Sequence, residues 1–471
     1  MQLIRMTKKI QTLILLQTIA LSIAIFFLLP TDDDWGYLCS PHINGMSLTS
    51  LLPNGTFWRP FDAIIGFVLT KIPTAYPYLN HSLILIGYIG SSLLLWNILR
   101  ELKIREDVRI ISTSIFLVSP AVLGTILGID SINQDYSVFF GLLSIYFYLR
   151  FPKNYSWLIF ALCATWAKEN GIVYFILSPI ISFTFNNDKK GNSKNLIIGV
   201  LGACLYFIAR LSLQTSSVSI EEDSPYSFTI SKKIVDLFSF VVGTTSVVDY
   251  ISLIHKPSRN IIVVLITFLI SLSFLYKLFW NKAIFKRKYL LLILCIAIAA
   301  APHLATHFGP MHAYSTLPFF CVLIGSFLND QQSDQLQNRF FKVTYIMFIL
   351  TAICVDWHHW YCTYSSSKVG PQMAAKVIEK TQGNPQNILC ITIMDDYPRF
   401  SSFCVPPRDV FREGYAVRRQ TKYEWPKKIR SLQVASLKQA SKVVRVAQQS
   451  GDYDYIWITF KDQVKVIKNR K

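Results

Sequence analysis

The sequence predicts an α-helical polytopic membrane protein of about eleven transmembrane helices, followed by a small C-terminal α/β domain. Three observations carry that reading. Hydrophobic residues make up 52% of the 471 and charged residues only 16%, against about 25% charged in an ordinary soluble domain. The apolar residues are also clustered. Ile10–Leu29, Leu83–Leu99, Ile261–Leu275 and Leu290–Ala301 contain no acid or base, and they approach or reach the ~20 residues that a spanning helix needs. From about residue 365 onward no such run occurs and the hydrophobic pattern shortens.

The spans are expected near 10–30, 80–99, 108–128, 135–150, 155–168, 171–185, 195–212, 260–278, 289–304, 313–328 and 340–356. The first follows a basic flank with Lys8 and Lys9, as a signal peptide would. Its core is long and no small-x-small cleavage pattern follows, so it reads as an uncleaved helix. A segment near 232–254 is apolar but holds Asp236, Gly243 and Asp249. It is expected to lie at the interface or to be re-entrant.

Orientation follows from the short basic loops around Arg100–Arg105, Arg150–Lys153, Lys189–Lys194 and Lys277–Lys288. Cytoplasmic loops are enriched in Lys and Arg, which puts the N-terminus inside and, after eleven crossings, the C-terminus outside. The acids, histidines and aromatics then collect on the opposite, extracytoplasmic face. A bacterial inner membrane with a periplasmic C-terminal domain is the expected location. Residues 1–360 form the transmembrane domain with an outer loop at 31–79, and residues 365–471 the outer α/β domain. In the latter, Asn387–Met394 and Tyr453–Phe460 read as strands and Ser431–Gln449 as a helix. The net charge of +19 sits in loops and tail and not in an amphipathic stripe, so it points to membrane headgroups and no nucleic acid. Of nine Cys, five fall in apolar runs, while Cys39, Cys362, Cys390 and Cys404 leave room for a disulfide. No CxxC occurs, which argues against a zinc site.

Five polar stretches carry the chemistry. Asp32, Asp33 and Asp34 follow the first span. Adjacent carboxylates at a membrane edge repel, which raises a pKa and suits a general base or a divalent-cation site. The plain alternative is a solvated cap. Arg59 lies between aromatics in Phe57-Trp58-Arg59-Pro60-Phe61, placed to grip a phosphate or to snorkel in an interfacial belt. Lys168 and Glu169 separate two short apolar stretches. The Lys would neutralise a lipid phosphate, or the pair would close a helical hairpin as an ion pair. Arg210 ends the aromatic run from Tyr206. His303 and His307 have the i, i+4 spacing that puts two imidazoles on one helical face, but Pro302, Gly309 and Pro310 interrupt the helix. Polar contacts of His303, His307 and His312 to a sugar or phosphate are therefore preferred over a metal. Asp130, with Asn133 and Gln134, lies on the same face.

Taken together and in order, these motifs resemble the GT-C superfamily of membrane glycosyltransferases, of the protein mannosyltransferase and aminoarabinose transferase type. The acidic first outer loop, Lys168-Glu169 followed by Gly171, and the aromatic span ending in Arg210 match that pattern. His312-Ala-Tyr314 ahead of Pro318 stands where several branches have Arg-Tyr, so His replaces Arg. The resemblance implies transfer of a sugar from a polyprenyl-phosphate donor to a glycan, lipid or protein acceptor, with inversion. It assigns the phosphate to Lys168, Arg210 and Arg59, and acceptor activation to Asp33 or Asp34, with Asp32 beside them. Glu169, His303, His307, His312, Tyr314 and Asp130 would line the substrate site. Mg or Mn held by Asp33 and Asp34 is used in some branches and not in others. The rival readings are a lipid-linked-glycan transporter or flippase, a polysaccharide polymerase or ligase, and a scaffold acting through residues 365–471. No internal repeat of the kind common in transporters is visible.

Overall fold

The computed structural model describes residues 2–31, 34–45, 48–53, 57–72, 78–185, 189–214, 230–249, 257–279, 286–331, 339–381, 387–393, 414–424, 428–460 and 463–469. All eleven apolar stretches are helical there. They are α1 (Gln2–Ile25), α4 (Tyr78–Glu101), the bent pair α5 (Glu106–Val118) and α6 (Leu123–Ile126), α7 (Ile132–Arg150), α8 (Ser156–Ala167), α9 (Tyr174–Phe185), α10 (Lys189–Leu213), α12 (Pro257–Phe279), α13 (Arg287–Ala305), α14 (Ala313–Asp330) and α15 (Arg339–Ser367). Between them lie α2 (Asp34–Asn44), α3 (Pro60–Lys71) and α11 (Ile230–Thr245). Among the described residues, five helices are long and apolar enough to cross a membrane, or six if the bent pair is one span. The chain is thus a multi-pass membrane protein. α8 and α9 are shorter apolar helices, and α7 carries buried Asn133, Gln134 and Asp135 that lower its hydropathy.

The breaks have local causes. Ser119 precedes Pro120, and a residue before proline is pushed out of the helical region. Ser119 is extended, its side chain accepts from the Ala121 amide, and the two halves meet at 47°. Lys168 is extended at φ −153° and ψ 140°, ending α8, and a 3-10 turn Glu169–Val173 leads into α9. That turn folds back tightly. A Cβ on Gly171 would stand 2.3 Å from the Ala164 carbonyl carbon and oxygen, a backbone contact that no rotamer change relieves. Gly87 allows a second close approach, between α4 and α7, where a Cβ would overlap the Asp135 carboxylate.

α11 is amphipathic and is not among the helices that meet the spanning criteria. Asp236 near its middle accepts from the Phe308 amide at 3.2 Å, and Thr244 near its end meets the Thr316 hydroxyl at 2.6 Å. It therefore lies against the ends of α13 and α14. Such a helix fits the interfacial reading of this segment.

The C-terminal region follows α16 (Val369–Lys380) and contains α17 (Tyr415–Gln420), α18 (Leu437–Ser450) and a four-stranded sheet of order β2-β1-β3-β4. β1 (Asn387–Ile393) pairs in parallel with β2 (Lys428–Val434) and β3 (Tyr455–Phe460), and β4 (Gln463–Lys468) pairs antiparallel to β3. Ser431 to Val434, expected as helix, belong to β2. The helix starts only at Leu437, where the Ser436 hydroxyl caps it by accepting from the Gln439 amide. β2 and β4 were not foreseen. Both are largely exposed, and their polar residues hide the alternation. The sheet region docks on the loop after α1. His42 of α2 stacks on Tyr423 at 4.8 Å, and the Cys39 thiol approaches the Tyr415 carbonyl at 3.7 Å. Cys39, Cys362 and Cys390 are free thiols; Cys404 lies outside the described residues.

Candidate functional site

Of the predicted site residues that are described, Arg59, Lys168, Glu169 and Arg210 lie near one another, beside Asp130 and Asp62. The loop and α3 are pinned there first. Glu169 accepts from the Trp58 amide and from Arg59 Nε, both at 2.9 Å. The Trp58 indole stacks on Tyr206 of α10 at 5.3 Å and donates to the Leu51 carbonyl at 2.9 Å. Arg59 also lies over the Phe57 ring at 4.3 Å. Arg210, one turn beyond Tyr206, acts electrostatically on the same phenol as Glu169 and Arg59. Glu169 is therefore an organiser that holds Arg59 by one nitrogen. Both terminal nitrogens of that guanidinium are without a partner among the described residues.

Lys168 is the residue left over. Glu169, its neighbour in sequence, is committed to Arg59. The polar contact of Lys168 Nζ is the Met311 thioether at 3.8 Å, and among the described residues no carboxylate lies within ion-pair distance. Arg59, Asp130, Glu169 and Asp62 surround it at longer range. A partly exposed ammonium with a thioether partner has the charge and the donors to accept an anion.

Asp34 is not free in the way Lys168 is. Its Oδ2 accepts from the Thr31 amide at 2.9 Å and the Thr31 hydroxyl at 3.3 Å, and its Oδ1 from the Ile129 and Asp130 amides at 2.8 and 2.9 Å. Both oxygens are spent on tying the end of α1 to the start of α7. Burial and the adjacent Asp130 carboxylate push its pKa up, against the amides that pull it down. Asp34 is a clasp, and the expectation that it acts as base or metal ligand meets a saturated carboxylate. Asp32 and Asp33 lie outside the described residues. Among those described, no group of three His, Cys, Asp or Glu side chains is placed to hold a metal.

The histidines divide. His303 of α13 is buried, accepts from Asn170 Nδ2 at 2.9 Å, meets the Ser315 hydroxyl at 3.2 Å, and stacks on His312 at 4.1 Å. His312 Nδ1 accepts from the Gly309 amide at 2.9 Å. His307 turns the other way, to Asp236 at 3.0 Å, and Lys233 binds the same carboxylate at 3.2 Å and the Thr306 carbonyl. α13 ends at Ala305, so the i, i+4 pair does not share a helical face and the two-imidazole metal reading falls. Tyr314 is buried inside the bundle, donating to Asp135 Oδ1 at 2.9 Å; it does not face the site.

Asp62 was missed in the sequence. It is the lone acid in apolar α3, three residues beyond Arg59. Asn133 donates to its Oδ2 at 3.2 Å, while Oδ1 is buried without a partner among the described residues. Burial raises its pKa to about 6, with Arg59 and the Asn133 amide pulling the other way. An acid directly after an Arg-Pro in a hydrophobic loop helix was the available signal. Asn170, Gln134 and Ser315 behind it form a hydrogen-bonded floor, with Gln134 Nε2 donating to Ser315 at 2.5 Å.

Fold and site together define a polytopic helical membrane protein with a mixed-charge cluster of side chains where α8, α10 and the loop before α3 meet. The crystal structure of ArnT from Cupriavidus metallidurans bound to undecaprenyl phosphate is similar along 98% of this chain and 98% of that one, with a TM-score of 0.48 and 11% identity. No family model matches the chain, and no curated protein does. The functional reading rests on the site's own side chains.

Proposed function

We propose that the protein is an integral membrane glycosyltransferase of the GT-C type. It moves a sugar from a polyprenyl-phosphate donor to a glycan, lipid or protein acceptor on the extracytoplasmic face, in building the cell envelope. The observation that carries this is the Lys168 ammonium, which among the described residues has no carboxylate partner, beside an Arg59 whose two terminal nitrogens have none either. Two cations held over an apolar bundle suit a monophosphate whose chain stays in lipid. They stabilise the negative charge that develops on the leaving phosphate, and Arg210 extends the same cationic rim. Asp33 takes the proton of the acceptor hydroxyl as that oxygen attacks the anomeric carbon with inversion. Asp34 fixes the backbone beside it, and Asp130 stands next to Asp34. Glu169 positions Arg59, and His303 and His312 stand near Lys168 as candidate sugar contacts. The outer position of residues 365–471 is supported by their contact with α2, which follows the first span directly.

The test is transfer by the purified protein in lipid, with a panel of radiolabelled polyprenyl-phosphate sugars, with and without EDTA. Release of polyprenyl phosphate by wild type and not by Asp33→Asn supports the enzyme, and the EDTA arm reads whether Mg or Mn takes part. An intact donor throughout the panel, with folded protein, removes the transferase reading in favour of transport.

A further inference from the structure

The outer end of α15 carries a titratable cluster that the transfer chemistry does not use. Asp249, buried in the segment after α11, accepts from two imidazoles: His358 Nδ1 at 2.7 Å and His359 Nε2 at 3.2 Å. The other nitrogen of His358, Nε2, faces the Cys362 thiol at 3.5 Å. His358 and Cys362 are i and i+4 on one helix, the spacing that brings side chains together. Among the described residues, Asp249 and Cys362 are titratable groups in contact with His358, and His359 shares the same carboxylate.

The order of atoms matters. With Nδ1 hydrogen-bonded to a carboxylate, His358 keeps its proton there, and Nε2 is the nitrogen free to accept one from sulfur. The carboxylate then stabilises the imidazolium. This is the carboxylate–imidazole–nucleophile relation by which thiols are activated. Position completes the case. Cys362 is 23 residues beyond Arg339, roughly 35 Å at 1.5 Å per residue, so the helix has by then passed the ~30 Å hydrocarbon layer. The thiol is partly exposed. Cys204 and Cys354 are also exposed, but neither has a histidine in contact among the described residues.

The geometry points to Cys362 as a thiol–disulfide exchange site at the outer membrane surface, activated by His358 and Asp249, whose substrate is a low-molecular-weight disulfide. The Cys362 proton passes to His358 Nε2, and the thiolate attacks one sulfur of the disulfide. A new S–S bond forms to Cys362 as the old one breaks, and the departing thiolate takes up the proton. One thiol is oxidised and one is released, so no further oxidant is needed.

The experiment uses the full-length protein in nanodiscs with hydroxyethyl disulfide as probe, following the Cys362 mixed disulfide by mass spectrometry against pH. The same cysteine in the denatured chain is the reference. At about pH 6.5 an ordinary thiol is only about 1% thiolate, and folded Cys362 should react at least about tenfold faster than the reference. His358→Gln should return it to the reference rate, and Asp249→Asn should remove most of the advantage. A second measurement, alkylation of Cys362 by iodoacetamide at about pH 6.5 in the folded and the denatured wild type, needs no folded His or Asp variant and should show the same advantage. If folded Cys362 reacts no faster than denatured Cys362 with either reagent, the cluster is a structural ion pair and the proposal is overturned.

Discussion

Replacing Lys168 by Met separates function from folding more cleanly than any other change at this site. The side chain keeps its length and loses its charge. In the folded protein that charge has the Met311 thioether as its polar partner, so its removal orphans no carboxylate. Stability should stay within about 0.5 kcal/mol of wild type, as for a surface change that breaks no named interaction. The reaction should suffer. A unit-charge pair at 4 Å is worth about 4 kcal/mol at an effective dielectric of 20. Partial exposure of the ammonium lowers this to about 3 kcal/mol, roughly a hundredfold in rate. Because charge on the leaving phosphate grows in the transition state, the loss should fall on kcat as well as on kcat/KM. The assay is donor turnover beside a thermal melt of the same preparation. Unchanged turnover, or a melting drop as large as that of a broken ion pair, refutes the reasoning.

Glu169→Gln should behave oppositely. It weakens a charge-assisted bond to Arg59 and should cost about 1–2 kcal/mol in melts, the partial exposure of the pair limiting the loss. Asp34→Ala should be the most destabilising of the set, because it leaves the buried Thr31, Ile129 and Asp130 amides without their acceptor, at about 1–3 kcal/mol for each orphaned group; detergent-solubilised yield and melting would show it. Asp62 gives a pH signature. Its pKa is raised to about 6 from about 3.9 unfolded, so its contribution to stability is present below about pH 4 and is lost as pH rises through 6. Asp62→Asn should flatten that part of a melting-versus-pH curve. Gly171→Ala should fail to fold or melt well below wild type, since its Cβ meets the α8 backbone at 2.3 Å.

The helices were readable because lipid demands long apolar runs, and the break at Lys168-Glu169 because charge inside such a run is costly. The aromatic belt was readable for the same reason, although its partners were not. That Trp58 stacks on Tyr206, and that Glu169 selects Arg59 over adjacent Lys168, are choices between residues more than a hundred positions apart. Periodicity carries no information about them. The acid triplet shows the limit clearly. Composition identified Asp34 as chemically unusual, but only the fold reveals that the Ile129 and Asp130 amides consume its oxygens. The i, i+4 spacing of His303 and His307 suggested a shared face that the end of α13 at Ala305 does not provide. Asp236 and Asp249 seemed reasons to keep a segment out of the membrane, and their histidine partners came from elsewhere in the chain.

Lys168 and Arg59 are proposed to receive a lipid-borne phosphate. Equilibrium binding of polyprenyl monophosphate to the protein in nanodiscs, beside the matching polyprenol, tests it most directly. The account predicts that the phosphate binds at least about tenfold more tightly than the alcohol, a difference of about 1.4 kcal/mol or more, and that Lys168→Met abolishes the preference. Equal binding of phosphate and alcohol by wild type, or a preference that survives in Lys168→Met, would contradict it.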